Sequence, residues 1–420
     1  MNRKVFTLSL VLLLSFGLSA CIGLLPMDET PVAVGDYGPQ YSLQEHQTRT
    51  LDTLWKDLQQ NYIHYDSANV DWQSLHDKYQ SRIDKGLTDE EFTSMMKDLV
   101  ADLPENTLVF QSRTERIEGD SADNSTYEGI GAFVGFNEKP KPHIILLSII
   151  AGSPAEKAGL KAHDSILAID GNPVLLEEGL SAVNRVRGPS GSTVTLTVQS
   201  PRKSERSVNV QRGKLISTSK LEASQIPNTN YGYLLIPPIA YDTLIQDITQ
   251  ALQTFTTNQK LDGLILDLRI AGSSGGWPLQ DISSMFYDGV IGEFYNRTQK
   301  QEASVTGKDI FSSQSVPLVI LVGPNTQGFP EIFAASLQAQ KRANLIGAKT
   351  PGSIETTSTY YLPDGSRIFL ATTSFRLPNG EEIGGNGISP NVQVETGWDE
   401  VLPNNDPVID AAVKALETQK

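Results

Sequence analysis

Gly263-Leu264-Ile265-Leu266-Asp267-Leu268-Arg269, followed at a short distance by Gly275-Gly276, gives the clearest strand signal in this chain. Its apolar residues form an almost unbroken run before the charged and glycine-rich positions, which is typical of a strand buried on both faces. Similar runs alternate with helical patterns on either side of it. This alternation predicts an α/β layer fold over residues 214–400 and a closing helix within 401–420. We expect strands at 231–236, 263–270, 317–323 and 343–347, and helices at 243–255, 330–340 and 407–416.

The composition limits the classes of function that need consideration. The 420 residues include 34 Lys and Arg against 49 Asp and Glu, a net charge of −15, which argues against a nucleic-acid partner. A single cysteine excludes an intramolecular disulfide and any cysteine-only metal centre. No phosphate-binding loop, HExxH motif or EF-hand loop is present, so we expect no cofactor and no metal. No histidine follows His163, so chemistry in the C-terminal part is expected to proceed without imidazole.

The N-terminus has the pattern of an export signal. Arg3 and Lys4 precede the apolar run Val5–Gly17, whose 13 residues are too few for a bilayer that needs roughly 20. The only cysteine, Cys21, comes directly after Leu18-Ser19-Ala20. This arrangement resembles the signal of bacterial lipoproteins, and the alternative is a plain signal peptide with an incidental cysteine.

The lipoprotein resemblance implies cleavage before Cys21 and a lipid on its sulfur. Residues 1–20 would then be the signal peptide and 21–44, which lack periodicity and contain several Pro and Gly, a flexible tether. The resemblance therefore predicts a protein of the bacterial cell envelope, outside the cytoplasm and held at a membrane by acyl chains.

Residues 45–115 carry helical patterns. One apolar stripe begins at Leu51, and a second helix is indicated by Thr88 with Glu91 three residues later, the spacing of a capping box. Met95 and Met96 lie on the apolar face of this second helix, so we interpret them as core residues and not as a soft-metal site.

Residues 125–213 change to short strand patterns separated by Gly, Pro and Asn turns. Four segments in order resemble a PDZ domain of the bacterial protease type: Gly129-Ile130-Gly131-Ala132, Gly152–Leu160, Ile169-Asp170-Gly171 and Arg187–Gly191. The resemblance implies that the loop Gly129–Ala132 offers backbone N–H groups to the terminal carboxylate of a peptide, which then pairs with the adjoining strand. The alternative is a module that only packs. His143 and His163 within it are expected at the surface.

Further motifs spread along the α/β region. They are Gly263–Arg269 with Gly275-Gly276, Pro317–Val322, Glu331-Ile332, Gly347, Lys349-Thr350, Gly352, Asp364-Gly365 and Gly387-Ile388-Ser389-Pro390. With the helical segment and the PDZ-like module they resemble, over nearly the whole mature chain, the C-terminal-processing (tail-specific) serine peptidases. The resemblance implies a ClpP/crotonase-like α/β core and, as partners, the C-terminal segments of polypeptides.

The same resemblance implies a Ser–Lys dyad, but the corresponding positions are altered. Alignment on Glu331-Ile332 puts Gly328 at the nucleophile, and the Gly347–Ile354 run puts Ser353 at the general base. Thr357 stands where some members have an orienting glutamine. Glycine has no nucleophilic atom and a serine hydroxyl is no general base at neutral pH, so the pattern predicts a catalytically silent relative.

Two other nucleophiles remain as alternatives. Thr326 with Lys349 could form a relocated dyad, or they could be a turn hydroxyl and an exposed strand-end lysine. Gly272-Ser273-Ser274-Gly275-Gly276 matches the G-x-S-x-G elbow, yet no histidine follows it to complete a triad. We therefore interpret Gly275 and Gly276 as the turn that donates oxyanion N–H groups in active relatives.

Three functions follow from these observations. The first is a peptide-binding pseudoprotease. The second is an active serine-type endopeptidase that cleaves polypeptides near their C-termini with relocated residues. The third is a carrier of hydrophobic ligands on the same frame, since this domain type also occurs in a retinoid-binding protein.

Overall fold

The computed structural model describes residues 41–419, apart from 105, 122–126, 216–219, 258, 273–275 and 403–404. The predicted signal peptide, most of the tether and Cys21 lie outside the described residues, and so do Ser274 and Gly275. Among the helices that are described, none combines the length and the continuous apolar character that crossing a bilayer requires.

The N-terminal region is built from helices that bury one apolar face. The side chains of Thr88 and Glu91 cap the third helix reciprocally, as the sequence predicted, with amide-to-side-chain distances of 2.8 and 3.2 Å. Met95 and Met96 are fully buried in the core of this region. Its elements are α1 (Leu43–Asn61), α2 (Trp72–Ile83), α3 (Asp89–Asp102), β1 (Leu108–Gln111) and α4 (Arg113–Ser121).

The PDZ-like module is a small antiparallel sheet with short helices. Its main sheet has the order β3-β4-β5-β7-β8, with β6 beside β5, and a separate ribbon joins β2 to β9. Strand β3 is at the edge of the main sheet, and the 3₁₀ turns lie next to it. The elements are β2 (Tyr127–Gly129), β3 (Ala132–Asn137), β4 (His143–Ile149), α5 (Pro154–Lys157), β5 (Ser165–Ile169), β6 (Asn172–Pro173), 3₁₀ turns (Leu176–Ala182), α6 (Val183–Val186), β7 (Thr193–Gln199), β8 (Glu205–Gln211) and β9 (Gly213–Leu215).

The α/β region confirms the predicted fold class. Its central sheet has the order β10-β11-β12-β15-β16-β19 and is parallel from β11 to β19. The predicted strands and helices are present, with ends that differ by a few residues at most. The elements are β10 (Glu222–Gln225), β11 (Tyr231–Leu235), α7 (Leu244–Thr256), β12 (Gly263–Asp267), α8 (Leu279–Phe286), β13 (Gly289–Tyr295), β14 (Lys300–Val305), β15 (Leu318–Val322), α9 (Phe329–Ala339), β16 (Asn344–Gly347), β17 (Thr356–Tyr361), β18 (Arg367–Arg376), β19 (Val392–Gln393) and α10 (Pro407–Glu417).

Helices cover both faces of the central sheet, which explains the unbroken apolar run of β12. Leu264 and Leu266 point to the face packed by α7, α8 and α9, whereas Ile265 points to the face packed by α10. Because successive strand residues alternate between faces, both sets must be apolar when both faces are covered.

A second, antiparallel sheet was not predicted from the sequence. It has the order β1-β18-β13-β14, with β17 also beside β18. Strand β1 comes from the helical region and pairs with β18, Leu108 opposite Leu370. The helical region therefore shares a sheet with the α/β region.

The expectation that His143 lies at the surface is wrong. Only 1% of this residue is exposed, because its ring packs at 5.6 Å against Trp398 from the C-terminal segment. The Nδ1 atom lies 2.8 Å from the carbonyl oxygen of Lys141. His163 is half-buried, and burial lowers the pKa of both imidazoles.

Candidate functional site

The two positions to which the sequence resemblance assigns the dyad, Gly328 and Ser353, lie together. Gly328 precedes α9 with φ of 64° and ψ of −132°, a conformation that favours glycine. Its amide donates a hydrogen bond of 2.8 Å to the carbonyl oxygen of Ser353. Gly328 presents no side chain, and Ser353, which is half-buried, presents a hydroxyl. Gly328 therefore offers no attacking atom at the position assigned to the nucleophile, and Ser353 offers no basic amine at the position assigned to the general base.

The backbone N–H groups just before α9 donate hydrogen bonds to carbonyl oxygens of the same chain. The amide of Gln327 donates to the carbonyl oxygen of Ala271 at 3.2 Å, and the amide of Gly328 is occupied as described. An oxyanion site needs such N–H groups aimed at the substrate. Gly276, on the predicted oxyanion turn, is exposed, while Gly275 lies outside the described residues.

Glu331, in the first turn of α9, is fully buried beside these positions. One carboxyl oxygen accepts hydrogen bonds from the hydroxyl of Thr350 and, at 2.7 Å, from the amide of Gly352. The other oxygen has no hydrogen-bond partner among the described residues. Burial raises the pKa of Glu331 to about 7, and the charge of Glu355 acts in the same direction. The carboxyl group is therefore partly protonated near neutral pH.

An imidazole reaches the site from the helical region. The Nε2 atom of His64, in the loop after α1, lies 3.0 Å from Oε1 of Glu355, whose side chain is 9% exposed. Glu355 is two residues beyond Ser353. An imidazole from outside the C-terminal part therefore lies beside Glu355, although no histidine follows His163 in the sequence. No local spacing signals the contact, because it joins segments that are far apart in sequence.

The relocated dyad receives no support from the geometry. The hydroxyl of Thr326 is buried, donates to the carbonyl oxygen of Leu268 at 2.9 Å and accepts from the amide of Gly323 at 3.0 Å. Lys349 is exposed. In the described part of the chain, no hydrogen bond joins a hydroxyl to the side-chain amine of Lys349 or to the imidazole of His64. Thr357 is exposed near the start of β17.

Lys349 lines an open depression of about 280 Å³. The depression lies near the C-terminal end of α9, away from Gly328. Much of its lining is polar, including Gln338, Asn379 and Asn386. It is not the apolar pocket that a carrier of hydrophobic ligands would need.

A buried ion network holds the end of β12. The guanidinium of Arg269 contacts Asp267 at 2.6 Å and Asp406, the N-cap of α10, at 2.7 Å. The hydroxyl of Tyr233 donates to Asp267 at 2.8 Å. Burial alone would lower the pKa of Arg269, but the two carboxylates raise it well above its ordinary value. Asp267 and Arg269 thus connect the end of β12 to the start of α10.

The loop Gly129–Ala132, which is predicted to bind the peptide carboxylate, connects the β2–β9 ribbon to the main sheet of the PDZ-like module. Gly129 pairs with Gly213, and the carbonyl oxygen of Ile130 accepts from the amide of Ala155 at 2.7 Å. Gly131 has φ of 84°, and a Cβ atom there would lie 2.4 Å from Cβ of Ser153. The loop leads through Ala132 into the edge strand β3.

The edge strand β3 and the neighbouring 3₁₀ turns are the candidate surface for binding a peptide. Leu176 and Leu180 on these turns are about half-exposed, at 54% and 52%. An edge strand beside exposed aliphatic side chains is the arrangement that accepts an added peptide strand.

Among the described residues, no group of three or more His, Cys, Asp or Glu side chains is placed to hold a metal ion.

Comparison with known proteins finds the same three parts in the same order. Profiles of the Tricorn protease C1 domain, the PDZ domain and peptidase family S41 match residues 44–101, 145–200 and 230–394. The carboxyl-terminal-processing protease of a Picosynechococcus species is 30% identical over 367 residues, which cover 83% of this chain and 81% of that protein. A Synechocystis protease of the same description is 29% identical over 372 residues, covering 87% and 84%.

The fold is likewise similar to solved structures. The photosystem II D1 C-terminal processing protease superposes with a TM-score of 0.63 and 22% identity. The superposition covers 87% of this chain and 96% of that one.

Proposed function

The chain belongs to the C-terminal-processing (tail-specific) serine peptidase family, and on that premise we propose that it binds C-terminal segments of polypeptides without hydrolysing them. The observation that carries the proposal is the pair of residues at the dyad positions, Gly328 and Ser353. A glycine supplies no attacking atom, and a serine hydroxyl cannot hold the proton that a basic amine would take.

The surroundings of Gly328 support the loss of hydrolysis. Its amide is bonded to Ser353, so it is not directed at a substrate carbonyl. Thr326, the nearest fallback nucleophile in sequence, has a hydroxyl that closes a turn. An acyl-enzyme on Thr326 would require this turn to open.

Peptide binding is proposed for the module at residues 125–213. Its loop Gly129–Ala132 would receive the terminal carboxylate, and the open edge of β3 would pair with the residues before it. The exposed Leu176 and Leu180 would then contact side chains of the bound peptide. The domain limits predicted from the sequence, including the α/β region at 214–400, form part of this proposal.

We also propose that the protein is a lipoprotein of the bacterial cell envelope, anchored through Cys21. Support comes from the N-terminal sequence alone. Mass spectrometry of the membrane-bound protein should find a lipidated Cys21 at the mature N-terminus, and Cys21→Ser should move the protein to the soluble fraction. An unmodified cysteine within a cleaved leader would overturn the anchor.

Two measurements test the absence of hydrolysis and the binding of peptides separately. The purified mature chain is incubated with casein and a fluorophosphonate probe, beside an active serine peptidase as positive control. We expect neither cleavage nor labelling. Labelling of any Ser or Thr, or cleavage that is lost in Lys349→Ala, would establish the alternative of an active peptidase with relocated residues.

The binding measurement uses peptides with randomised C-terminal residues. Each peptide is made with a free C-terminal carboxylate and, separately, with a C-terminal amide. Binding that requires the free carboxylate supports the PDZ-like site. Equal binding of both forms, or none, would overturn that site without bearing on hydrolysis.

A further inference from the structure

The loop between α1 and α2 is fastened to the α/β region at several points. The amide of Ile63 donates to the carbonyl oxygen of Ala371 at 3.1 Å. Arg297, in the β13–β14 turn, bonds the carboxylate of Asp66 at 2.9 Å and the carbonyl oxygen of Tyr62 at 3.4 Å. The helical region therefore holds this loop, residues 62–71, against the antiparallel sheet. We call it the His64 loop, after the histidine that it carries.

His64 faces acidic groups from two segments of the α/β region. It bonds Glu355 at 3.0 Å. It is also close to Glu382, in the turn after β18, whose pKa is lowered mainly by its hydrogen bond with Arg376 and to a smaller extent by the charge of His64. Glu382 already has a cation, because its carboxylate bonds the guanidinium of Arg376, which also contacts Glu293 at 3.3 Å. Among the described ion pairs, the one that involves Glu355 is with His64.

Glu355 has little room to move away from this contact. A Cβ atom built on Gly384 would lie 2.3 Å from its Oε1 atom, so the backbone of Gly384 lies directly behind the carboxylate. The phenol of Tyr62 is also near, because the charge of Glu355 contributes, after the larger effect of burial, to raising the pKa of Tyr62. A change in charge at His64 or Glu355 is therefore transmitted to the segments that carry them.

Glu331 is the second titratable group that acts on Glu355. It is fully buried, and one of its oxygens has no hydrogen-bond partner in the described part of the chain. Its other contacts, Thr350 and Gly352, lie in the segment that leads to Glu355. When Glu331 ionises, two carboxylates repel each other across this segment, and no buried lysine at position 353 offsets them.

We propose that His64 and Glu355 form a pH-sensitive latch, which holds the His64 loop and the segment 350–357 together in acid and loosens as the pH rises past neutrality. Two titrations act in the same direction. Imidazoles lose their charge between about pH 5 and 8, which weakens an ion pair to a carboxylate. Ionisation of Glu331 over the same range adds repulsion. The inference does not depend on whether the cleft hydrolyses peptides, because it concerns the attachment of the loop.

Hydrogen exchange of the full mature chain tests the latch. Protection factors, which correct for the pH dependence of intrinsic exchange, are compared at about pH 5.5 and about pH 8.5. In the wild type we expect protection of residues 62–71 and 352–357 to fall about tenfold with the rise in pH, the effect of losing one partly buried ion pair. Protection of α7 reports the change in global stability over the same pH range, and the fall in residues 62–71 and 352–357 is compared with it.

The variants separate the latch from simple packing. His64→Gln keeps a hydrogen-bonding side chain that cannot be charged, so its protection should be low at both pH values. Glu331→Gln should retain part of the pH effect, through His64 alone. Arg297→Gln removes another fastening of the same loop, so it should lower protection by the same factor at both pH values. If the wild type shows no fall, or if His64→Gln retains the full fall, the latch is refuted.

Discussion

The amide of Gly328 and the carbonyl oxygen of Ser353 are joined by a hydrogen bond of 2.8 Å. The positions that the family pattern assigns to nucleophile and general base therefore meet through their backbones. This contact places Gly328 at φ of 64° and ψ of −132°, where residues with a Cβ atom are strained. A side chain introduced at position 328 would therefore have to adopt this conformation or displace the backbone.

The backbone at Gly328 predicts a loss of stability when a Cβ atom is added. Gly328→Ala should lower the free energy of unfolding by about 1–3 kcal/mol, the cost of a non-glycine residue in this region. Urea denaturation measures the change. Gly323→Ala, in the same connection between β15 and α9, is the control. Its added Cβ would meet no atom closer than Cγ of Arg269 at 3.9 Å, so a loss under about 1 kcal/mol is expected. Equal losses in the two variants would contradict the argument.

Restoring the two side chains should not restore catalysis. Gly328→Ser with Ser353→Lys supplies the missing groups, but the serine would enter a strained conformation and the amide of residue 328 would stay bonded to the carbonyl of residue 353. We expect fluorophosphonate labelling at the background level of the wild type. Because the double variant could misfold, circular dichroism and peptide binding by the PDZ-like module are measured on the same sample. Labelling at position 328 in the folded variant would show that the cleft rearranges readily.

Some of these features were predictable from sequence and others were not, for a physical reason. The strand at Gly263–Asp267 and the capping box of Thr88 depend on neighbours within a few residues, and both were predicted. The pairing of β1 with β18 and the contact of His64 with Glu355 depend on segments hundreds of residues apart. A spacing rule has no access to such contacts. The burial of His143 under Trp398 has the same origin.

The network around Arg269 predicts strong destabilisation when its cation is removed. Arg269→Met would leave the carboxylates of Asp267 and Asp406 without their partner, and Asp267 is fully buried. Breaking such a pair typically costs about 3–5 kcal/mol. Arg82→Met breaks a surface pair with Asp98 of similar length, 2.8 Å, and should cost less than about 1 kcal/mol. Unfolding in urea distinguishes the two, and a small loss in Arg269→Met would mean that the buried carboxylates are neutralised in another way.

The raised pKa of Glu331 predicts how stability varies with pH. In the folded protein the carboxyl group titrates at about 7, above the unfolded value of 4.5, so the folded state binds the extra proton. The stabilisation is fully present below the unfolded pKa and is lost as the pH rises through the folded pKa. A shift of this size corresponds to about 3 kcal/mol between pH 4.5 and neutrality or above.

Glu331→Gln isolates this contribution, since glutamine does not titrate and its carbonyl oxygen can accept the hydrogen bonds of Thr350 and Gly352. Relative to the wild type, the variant should gain up to about 3 kcal/mol of stability between about pH 5 and about pH 8.5. Glu302→Gln, an exposed position on β14, is the matched control and should show no such trend. Urea unfolding across the pH range gives both curves. If the curves for Glu331→Gln and the wild type stay parallel, the carboxyl group of Glu331 ionises as readily in the folded protein as in the unfolded one. The Oε2 atom of Glu331 would then need a hydrogen-bond donor other than Thr350 and Gly352, which bond the Oε1 atom.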